Sequence, residues 1–329
     1  MTAAALRRQI VIRSDDMASD DFGSLFARAF GHLYSNLPPV DKPVRIAGVY
    51  GRYEGVSFRR MCYGGDVAFE LPGMADEITF VLPTAGHIVF NLATQNVGSH
   101  QVGLAVEKAQ VRSVQVLDGH GQQGLSVRRS LFIQRLAVLL DRPVAEPIRF
   151  QPAVDLQQPV FDGLKALLTF ATSAEADALV NAGGLMPERL REMLIDAVLE
   201  IWPHNHTEAL RRPGPGAAPR HVKLAMDYLR THPQAAVSGS ELAALACVSL
   251  RALQEGFRRF AGTTIVGYQR QVRLQHAYWA LQQQPSLAIG KLALRLGFSN
   301  VGRFSQYFQR AYGMRPQELR KGPGLPDPG

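Results

Sequence analysis

The chain has 329 residues, 46% apolar and 19% charged, with a formal net charge of +8. That length and apolar share allow two or more packed domains and exclude a disordered, collagen-like or disulfide-stapled chain. Cys62 and Cys247 are the two cysteines, too far apart in sequence to suggest a disulfide framework, so a reducing cytoplasm is the expected setting.

Met1 to Asp20 mixes Arg7, Arg8, Asp15 and Asp16 and has no apolar signal-peptide core. No run in the chain reaches the roughly 18–20 apolar residues of a membrane helix, so no membrane partner is expected. Residues 40 to 127 read as β. Short β-prone runs (Val44–Tyr50, Val56–Tyr63, Glu77–Leu82, His87–Leu92, Val111–Leu117) alternate with turn residues at Gly64-Gly65, Leu71-Pro72-Gly73, Pro83, Gly86 and Asp118-Gly119. Many short strands at regular spacing predict a sandwich or small barrel.

Helical periodicity follows over 127–203. Leu131, Phe132, Leu136, Leu139 and Leu140 predict one helix, closed by Asp141-Arg142-Pro143. Val160, Leu164, Leu167, Leu168 and Ala171 predict a second. Leu190, Met193, Leu194, Ala197, Val198 and Ile201 predict a third, over 187–201, whose stripe faces either its own domain or a dimer partner. Residues 211–219, with three prolines and two glycines, cannot continue a helix or a ladder and mark a linker. The charge steps at the same place. From Arg220 on there are 15 Lys and Arg against 5 Asp and Glu, whereas Met1–Pro219 holds 21 against 23. A basic domain joined to a near-neutral one suggests a polyanion reader plus something else, the alternative being a basic surface kept for solubility.

The basic region repeats itself. Leu242 through Ser249, followed by Leu253, Phe257 and Gly262, returns as Leu292 through Ser299, followed by Phe304, Phe308 and Gly313. The offset is 50 before the turn and 51 after it. Each copy reads as a short apolar helix, a tight turn, a capping Ser (Ser249, Ser299) and a second helix, which is helix-turn-helix geometry. Gly297 suits a turn that needs positive φ, and Cys247 in the matching position must bear or avoid that strain. In the first recognition helix Leu253, Phe257 and Phe260 form the inward stripe, with Arg251, Gln254, Glu255 and Arg258 outward. In the second, Val301, Phe304, Phe308 and Ala311 face inward, with Arg303, Gln306 and Arg310 outward. Arg can bind guanine and Gln adenine bidentately in the major groove. Between the units, residues 265–284 can form one helix about 30 Å long, close to the roughly 34 Å repeat of B-DNA's major groove, so one chain could serve two successive grooves.

These residues resemble the AraC/XylS family of transcription regulators over about residues 221–321. The matching pieces are Leu242-Ala243 to Val248-Ser249, Leu253-x-x-x-Phe257, Gly262, Arg273-Leu274-x-x-Ala277, Gly297-Phe298-Ser299, Gly302-Arg303-Phe304-Ser305, Phe308 and Gly313-x-x-Pro316. The Gly-Arg-Phe-Ser piece is most similar to the XylS side. The resemblance implies an α+β chain: a cupin-like β-barrel (about 40–127) with following helices (about 127–203) as a sensor and dimerisation domain over 1–210, and an all-α DNA-binding domain with two helix-turn-helix units over 220–321. Residues 322–329 read as a disordered tail. Carried over by position, the DNA-reading residues are Ser249, Arg251, Gln254, Glu255 and Arg258, then Asn300, Val301, Gly302, Arg303, Gln306 and Arg310. Glu255 either accepts from a cytosine or pairs with Arg251 or Arg259 on its own helix. The implied partners are double-stranded DNA, RNA polymerase, a second copy of the chain and a small effector, an aromatic acid on the XylS analogy. Arg45, Arg59, Arg60 and His87 are the side chains that could meet its carboxylate, if they line the barrel and do not face solvent.

Enzymatic alternatives carry less. A metal-dependent cupin would need a His-x-His motif with a following Glu and a distant His, and His87, His100 and His120 are scattered. His204-x-His206 lacks a well-spaced third ligand. An alkylation-repair protein with a similar DNA-binding unit would need a reactive Cys in a Pro-Cys-His-Arg setting, and Cys62 sits in Arg60-Met61-Cys62-Tyr63. Neither a Walker-type loop nor a nucleophile elbow appears. The expectation is a non-enzyme with no cofactor and no metal.

Overall fold

A computed structural model describes residues 9–17, 44–70, 76–92, 95–140, 142, 144, 146–211, 218–284 and 286–320. Residues 212–217 of the expected linker, the expected tail and the Leu71-Pro72-Gly73 turn lie outside the described residues. The chain forms two compact units, one comprising residues up to Phe132 together with Arg149–His204, the other Ile133–Ile148 together with the residues from Asn205 on.

The first unit is built on nine antiparallel strands: β1 (Gln9–Met17), β2 (Val44–Tyr53), β3 (Val56–Tyr63), β4 (Val67–Glu70), β5 (Glu77–Asn91), β6 (Gln95–Ser99), β7 (Val102–Glu107), β8 (Ser113–Arg128) and β9 (Ala153–Asp155). The order is β1-β2-β3-β8-β5-β6-β7-β9, with β4 also on β8 and β5 also on β7. Among the described residues this path is open, so the unit is an antiparallel sheet and the expected closed barrel is corrected. The sheet encloses its core by creasing. The runs expected as separate strands at Glu77–Leu82 and His87–Leu92 are the two limbs of β5, joined through irregular pairings between Pro83, Ala85 and His87. The run expected to end at Leu117 likewise continues to Arg128. Gly86 (φ +56°) lies against Asp118 and Gly119, which also have positive φ; a Cβ on Gly86 would sit 2.4 Å from the Leu117 carbonyl oxygen. Turn residues on both strands therefore bend the ladder without ending it. One core then gathers Met61 and Tyr63 of β3, Val81 and Ile88 from either side of the crease, Leu104 and Val106 of β7, and Val114 and Val116 of β8.

Three helices follow in this unit: Val160–Ala171, Ala174–Asn181 and Met186–Ile201. Gln123 donates to the Thr169 hydroxyl at 2.7 Å. Phe80 meets Phe150 and Trp202 at 4.8 and 5.0 Å between ring centroids. Along Met186–Ile201, Leu190, Leu194, Ile195 and Val198 are buried inside the unit, while Met193 stays exposed. The stripe thus packs on its own domain.

The second unit is helical: Arg220–Thr231, Gly239–Leu245, Leu250–Gly256 continued by a π-turn over Phe257–Ala261, Ile265–Gln283, Ile289–Arg295, Val301–Tyr312 and Pro316–Arg320. Its first core joins Val222, Met226, Leu242, Leu253, Phe257, Tyr268 and Val272. Around the last helices the packing is aromatic: Tyr278 stacks on Phe308 at 6.0 Å and lies 4.5 Å from Tyr312, and Phe304 sits between Phe298 and Phe308. The helix Ile265–Gln283 supplies both groups.

Candidate nucleic-acid interface

The two copies of the repeat fold alike. The positioning helices Gly239–Leu245 and Ile289–Arg295 are both seven residues long, and burial alternates identically along 241–250 and 291–300. Each turn contains one left-handed residue, Cys247 at φ +54° and Gly297 at φ +77°. Cys247 therefore bears the strain that glycine avoids. Ser249 caps the first recognition helix, accepting from the Ala252 amide at 3.2 Å. In the second copy the cap is Asn300, whose Oδ1 accepts from the Arg303 amide at 2.8 Å, and not Ser299. The extra residue after the turn moves the capping position by one, which is the step from offset 50 to 51.

All eleven residues singled out on the recognition helices and their caps are exposed: Ser249, Arg251, Gln254, Glu255, Arg258, Asn300, Val301, Gly302, Arg303, Gln306 and Arg310. One inward assignment is corrected. Val301 is the first residue of its helix and is 37% exposed. Phe260 is half-buried and packs against the first core as expected, with the Arg259 guanidinium over its ring, and the π-turn buries Ala261 beside it. Glu255 accepts from Arg251 Nε at 3.2 Å, one helical turn back, and the two side chains are 63% and 89% exposed. Gly302 has a local reason: a Cβ there would come within 3.1 Å of the Asn300 Oδ1 that caps the helix.

The faces differ in charge. The first recognition face holds the Arg251–Glu255 pair together with Gln254 and Arg258. The second holds Arg303, Gln306 and Arg310, with no acidic residue anywhere in Val301–Tyr312. The helix between the units, Ile265–Gln283, has 19 residues and is about 28 Å long at about 1.5 Å per residue. Arg273, near its middle, stands in the Arg273-Leu274-x-x-Ala277 piece without an assigned role, and it donates to the backbone carbonyls of Pro233, Ala235 and Gly297. Gln269, Arg273 and His276 lie at i, i+4 and i+7, a polar stripe on an otherwise core-forming helix that could have drawn notice.

The four effector candidates do not converge in the first unit. Arg45 and Arg60 are exposed, and exposed His87 pairs with Asp118 at 2.9 Å. Arg59 differs: its register with Gly124 of β8 places it on the same sheet face as Met61 and Tyr63, and its guanidinium donates to Ser126 Oγ at 3.3 Å. Near it lie Tyr63, pushed up to about 12 by burial, and His120, pushed down to about 4 by burial. Nothing in the sequence pattern flagged His120 as an inner-face residue, since it stands within the turn signal at Asp118-Gly119. In His204-x-His206 each ring Nε2 already faces a backbone carbonyl, of Leu199 at 2.9 Å and of Glu146 at 3.3 Å.

Comparison with known proteins bears on the repeat. Residues 242–322 match the family model described as a helix-turn-helix domain. The "Probable thc operon regulatory protein" of Rhodococcus erythropolis is 31% identical over 203 residues, 59% of this chain and 59% of its own length. The HTH-type transcriptional activator RhaR of Klebsiella pneumoniae is 42% identical over 73 residues, 22% of this chain and 26% of its own. The chain thus spans less than two thirds of the length of these curated relatives. Among solved structures, a transcriptional regulator with an AraC-type DNA-binding domain from Chromobacterium violaceum is 28% identical, with 32% of this chain and 95% of that one covered and a TM-score of 0.29.

Proposed function

We propose that this chain, whose residues 242–322 match the helix-turn-helix family model, is an AraC-type, sequence-specific and ligand-responsive regulator of transcription. It lays its two recognition helices into successive major grooves of double-stranded DNA. The observation that carries the reading is the duplicated unit itself. Two helix-turn-helix elements repeat the same turn and the same burial pattern, and each presents exposed Arg and Gln side chains. Arg251, Gln254 and Arg258 read one groove. Arg303, Gln306 and Arg310 read the next, with Ser249, Asn300, Val301 and Gly302 at the helix starts near the DNA backbone. The basic excess of the last third supplies the salt-dependent, sequence-blind part of binding.

The division we propose keeps a sensor and dimerisation domain over 1–210, a linker over 211–219 and the DNA-binding domain over 220–321. The sensor is read as cupin-like, in a creased and not fully hydrogen-bonded form. Its effector is read as a small aromatic acid on the XylS analogy, with Arg59 as the cation of the four candidates that shares the core face. Differential affinity of that ligand for two states would shift dimerisation or the pose of the DNA-binding domain, and with it recruitment of RNA polymerase. The protein acts as an activator in this reading and performs no catalysis. Lack of any thermal shift across a broad panel of aromatic acids would remove that effector class.

The deciding experiment is selection of bound fragments from a random DNA pool by the full chain. Two half-elements about one helical turn apart are expected. Recovery without sequence preference at any salt would overturn the reading.

A further inference from the structure

We infer that Arg273 is a positioning residue that sets the spacing of the two recognition helices by bridging the backbones of both helix-turn-helix units. The inference rests on the two-groove reading above and names the part that makes the two units one ruler. Each unit has its own packing group, and the helix Ile265–Gln283 runs through both: Ile265, Tyr268 and Val272 belong to the first, and Tyr278 packs on Phe308 and Tyr312 of the second. A shared helix alone leaves each unit free to rock about it.

Arg273 sits between the two groups and is half-buried. Its Nε donates to the Pro233 carbonyl at 3.0 Å and one terminal nitrogen to the Ala235 carbonyl at 3.0 Å. Those carbonyls lie on the segment that leads into the first positioning helix. The other terminal nitrogen donates to the Gly297 carbonyl, at 3.3 Å, in the turn of the second unit. One rigid planar fork therefore spans both units. Its neighbours on the helix do half of this: Gln269 donates to the Ala235 carbonyl at 3.2 Å, and His276, its pKa lowered by burial, faces the Arg230 carbonyl at 3.2 Å. Both hold the first side.

All three acceptors are backbone carbonyls, and no ion pair of Arg273 occurs among the described residues. The guanidinium is thus used for its geometry, and a lysine, with one point of charge, cannot reproduce the three directions. The turn is shaped to admit it. A Cβ on Gly297 would stand 3.0 Å from the guanidinium carbon, so the left-handed glycine also leaves the fork its approach.

Two measurements on the full chain test this. Spin labels at the exposed positions Ala252 and Gln309, one on each recognition helix, are introduced in a Cys62→Ser, Cys247→Gly background. The parent should give a single narrow distance, and Arg273→Met a broadened or shifted one; an unchanged distribution would overturn the inference. On DNA selected from a random pool, Arg273→Met should weaken binding to the two-element site tenfold or more. Its binding to a single element should stay within twofold, and its penalty for one inserted base pair between elements should shrink. Equal loss on one- and two-element DNA would also overturn it. Arg273→Lys carries both measurements if the Met variant fails to fold. Absence of any DNA preference in the parent would count against the two-groove reading alone, since the label distances are measured without DNA.

Discussion

The two helix-turn-helix units follow one plan and stabilise it with different means. The first carries a strained Cys247 in its turn, a recognition helix that loosens into a π-turn after Gly256, an aliphatic-rich core and a face where Glu255 partly neutralises Arg251. The second carries Gly297 in the same turn, an unbroken twelve-residue helix, an aromatic core and a face with cations and no acid. The two units thus share a left-handed turn residue, a side-chain cap and a buried stripe, which fold the unit. The outward residues diverged. On the proposed two-groove reading, the second unit contributes more of the binding energy and the first more of the restraint against wrong DNA.

The largest effect should come from the second core. Phe304 is fully buried between Phe298 and Phe308, so Phe304→Ala should cost about 3–5 kcal/mol of stability in denaturant unfolding. Leu253 is as deeply buried at the matching place in the first unit, and Leu253→Ala should cost about 2–5 kcal/mol. If the phenylalanine variant proves the milder by a clear margin, the aromatic group is not the stronger of the two cores.

Next comes Arg303→Ala. Arg303 is exposed in the first turn of the second recognition helix, and its loss should weaken binding to the selected site by about 1–3 kcal/mol while random DNA is bound almost as before. Arg251→Ala, whose guanidinium is already shared with Glu255, should lose less. Equal losses on selected and random DNA would make Arg303 a phosphate contact and remove the asymmetry.

Much of this was legible from residue pattern alone. The 50/51 offset located both units, and the strand Val56–Tyr63 and the helix Val160–Ala171 fall where periodicity put them. The misses have physical causes. β5 and β8 each contain turn residues in mid-strand, and a turn signal on one strand cannot show that its partner bends with it. Ser299 and Asn300 are both good caps, and only the backbone geometry separates them. The π-turn at Phe257–Ala261, which buries Ala261 as well, is not anticipated by 3.6-residue periodicity. Arg273 was invisible as a strut because its acceptors are carbonyls, which every residue carries, supplied by chain segments 40 and 24 positions away.

A smaller effect separates the two turns. A left-handed L-residue costs roughly 1–2 kcal/mol, and a glycine gives back about 0.5–1 kcal/mol through the greater freedom of the unfolded chain. Cys247→Gly should therefore raise stability by up to about 1 kcal/mol. Gly297→Ala should lower it by about 1 kcal/mol or more, since its Cβ would also press on the guanidinium of Arg273. Thermal melts of the two variants should move in opposite directions. Parallel movement would mean that the turns are not equivalent.

The smallest change in stability, and the sharpest test of the division between affinity and restraint, is Glu255→Gln. The Arg251–Glu255 pair is one helical turn long and largely exposed, so its removal should alter stability by no more than a few tenths of a kcal/mol. The effect on DNA is different in kind. In the proposed complex Glu255 presents a negative charge on a face that approaches phosphates, and it engages the Arg251 guanidinium that would otherwise meet them. Neutralising it should raise affinity for random DNA severalfold at low salt, with the gain fading as salt screens the charges. Affinity for the selected site should rise by less, because there Arg251 already has a base edge or phosphate to leave Glu255 for. Specificity, the ratio of the two, would then fall even as binding tightens. If Glu255 instead accepts from a cytosine amino group, the variant would lose affinity on the selected site and the loss would follow one base position. Binding titrations on both DNAs across a salt series separate the two roles.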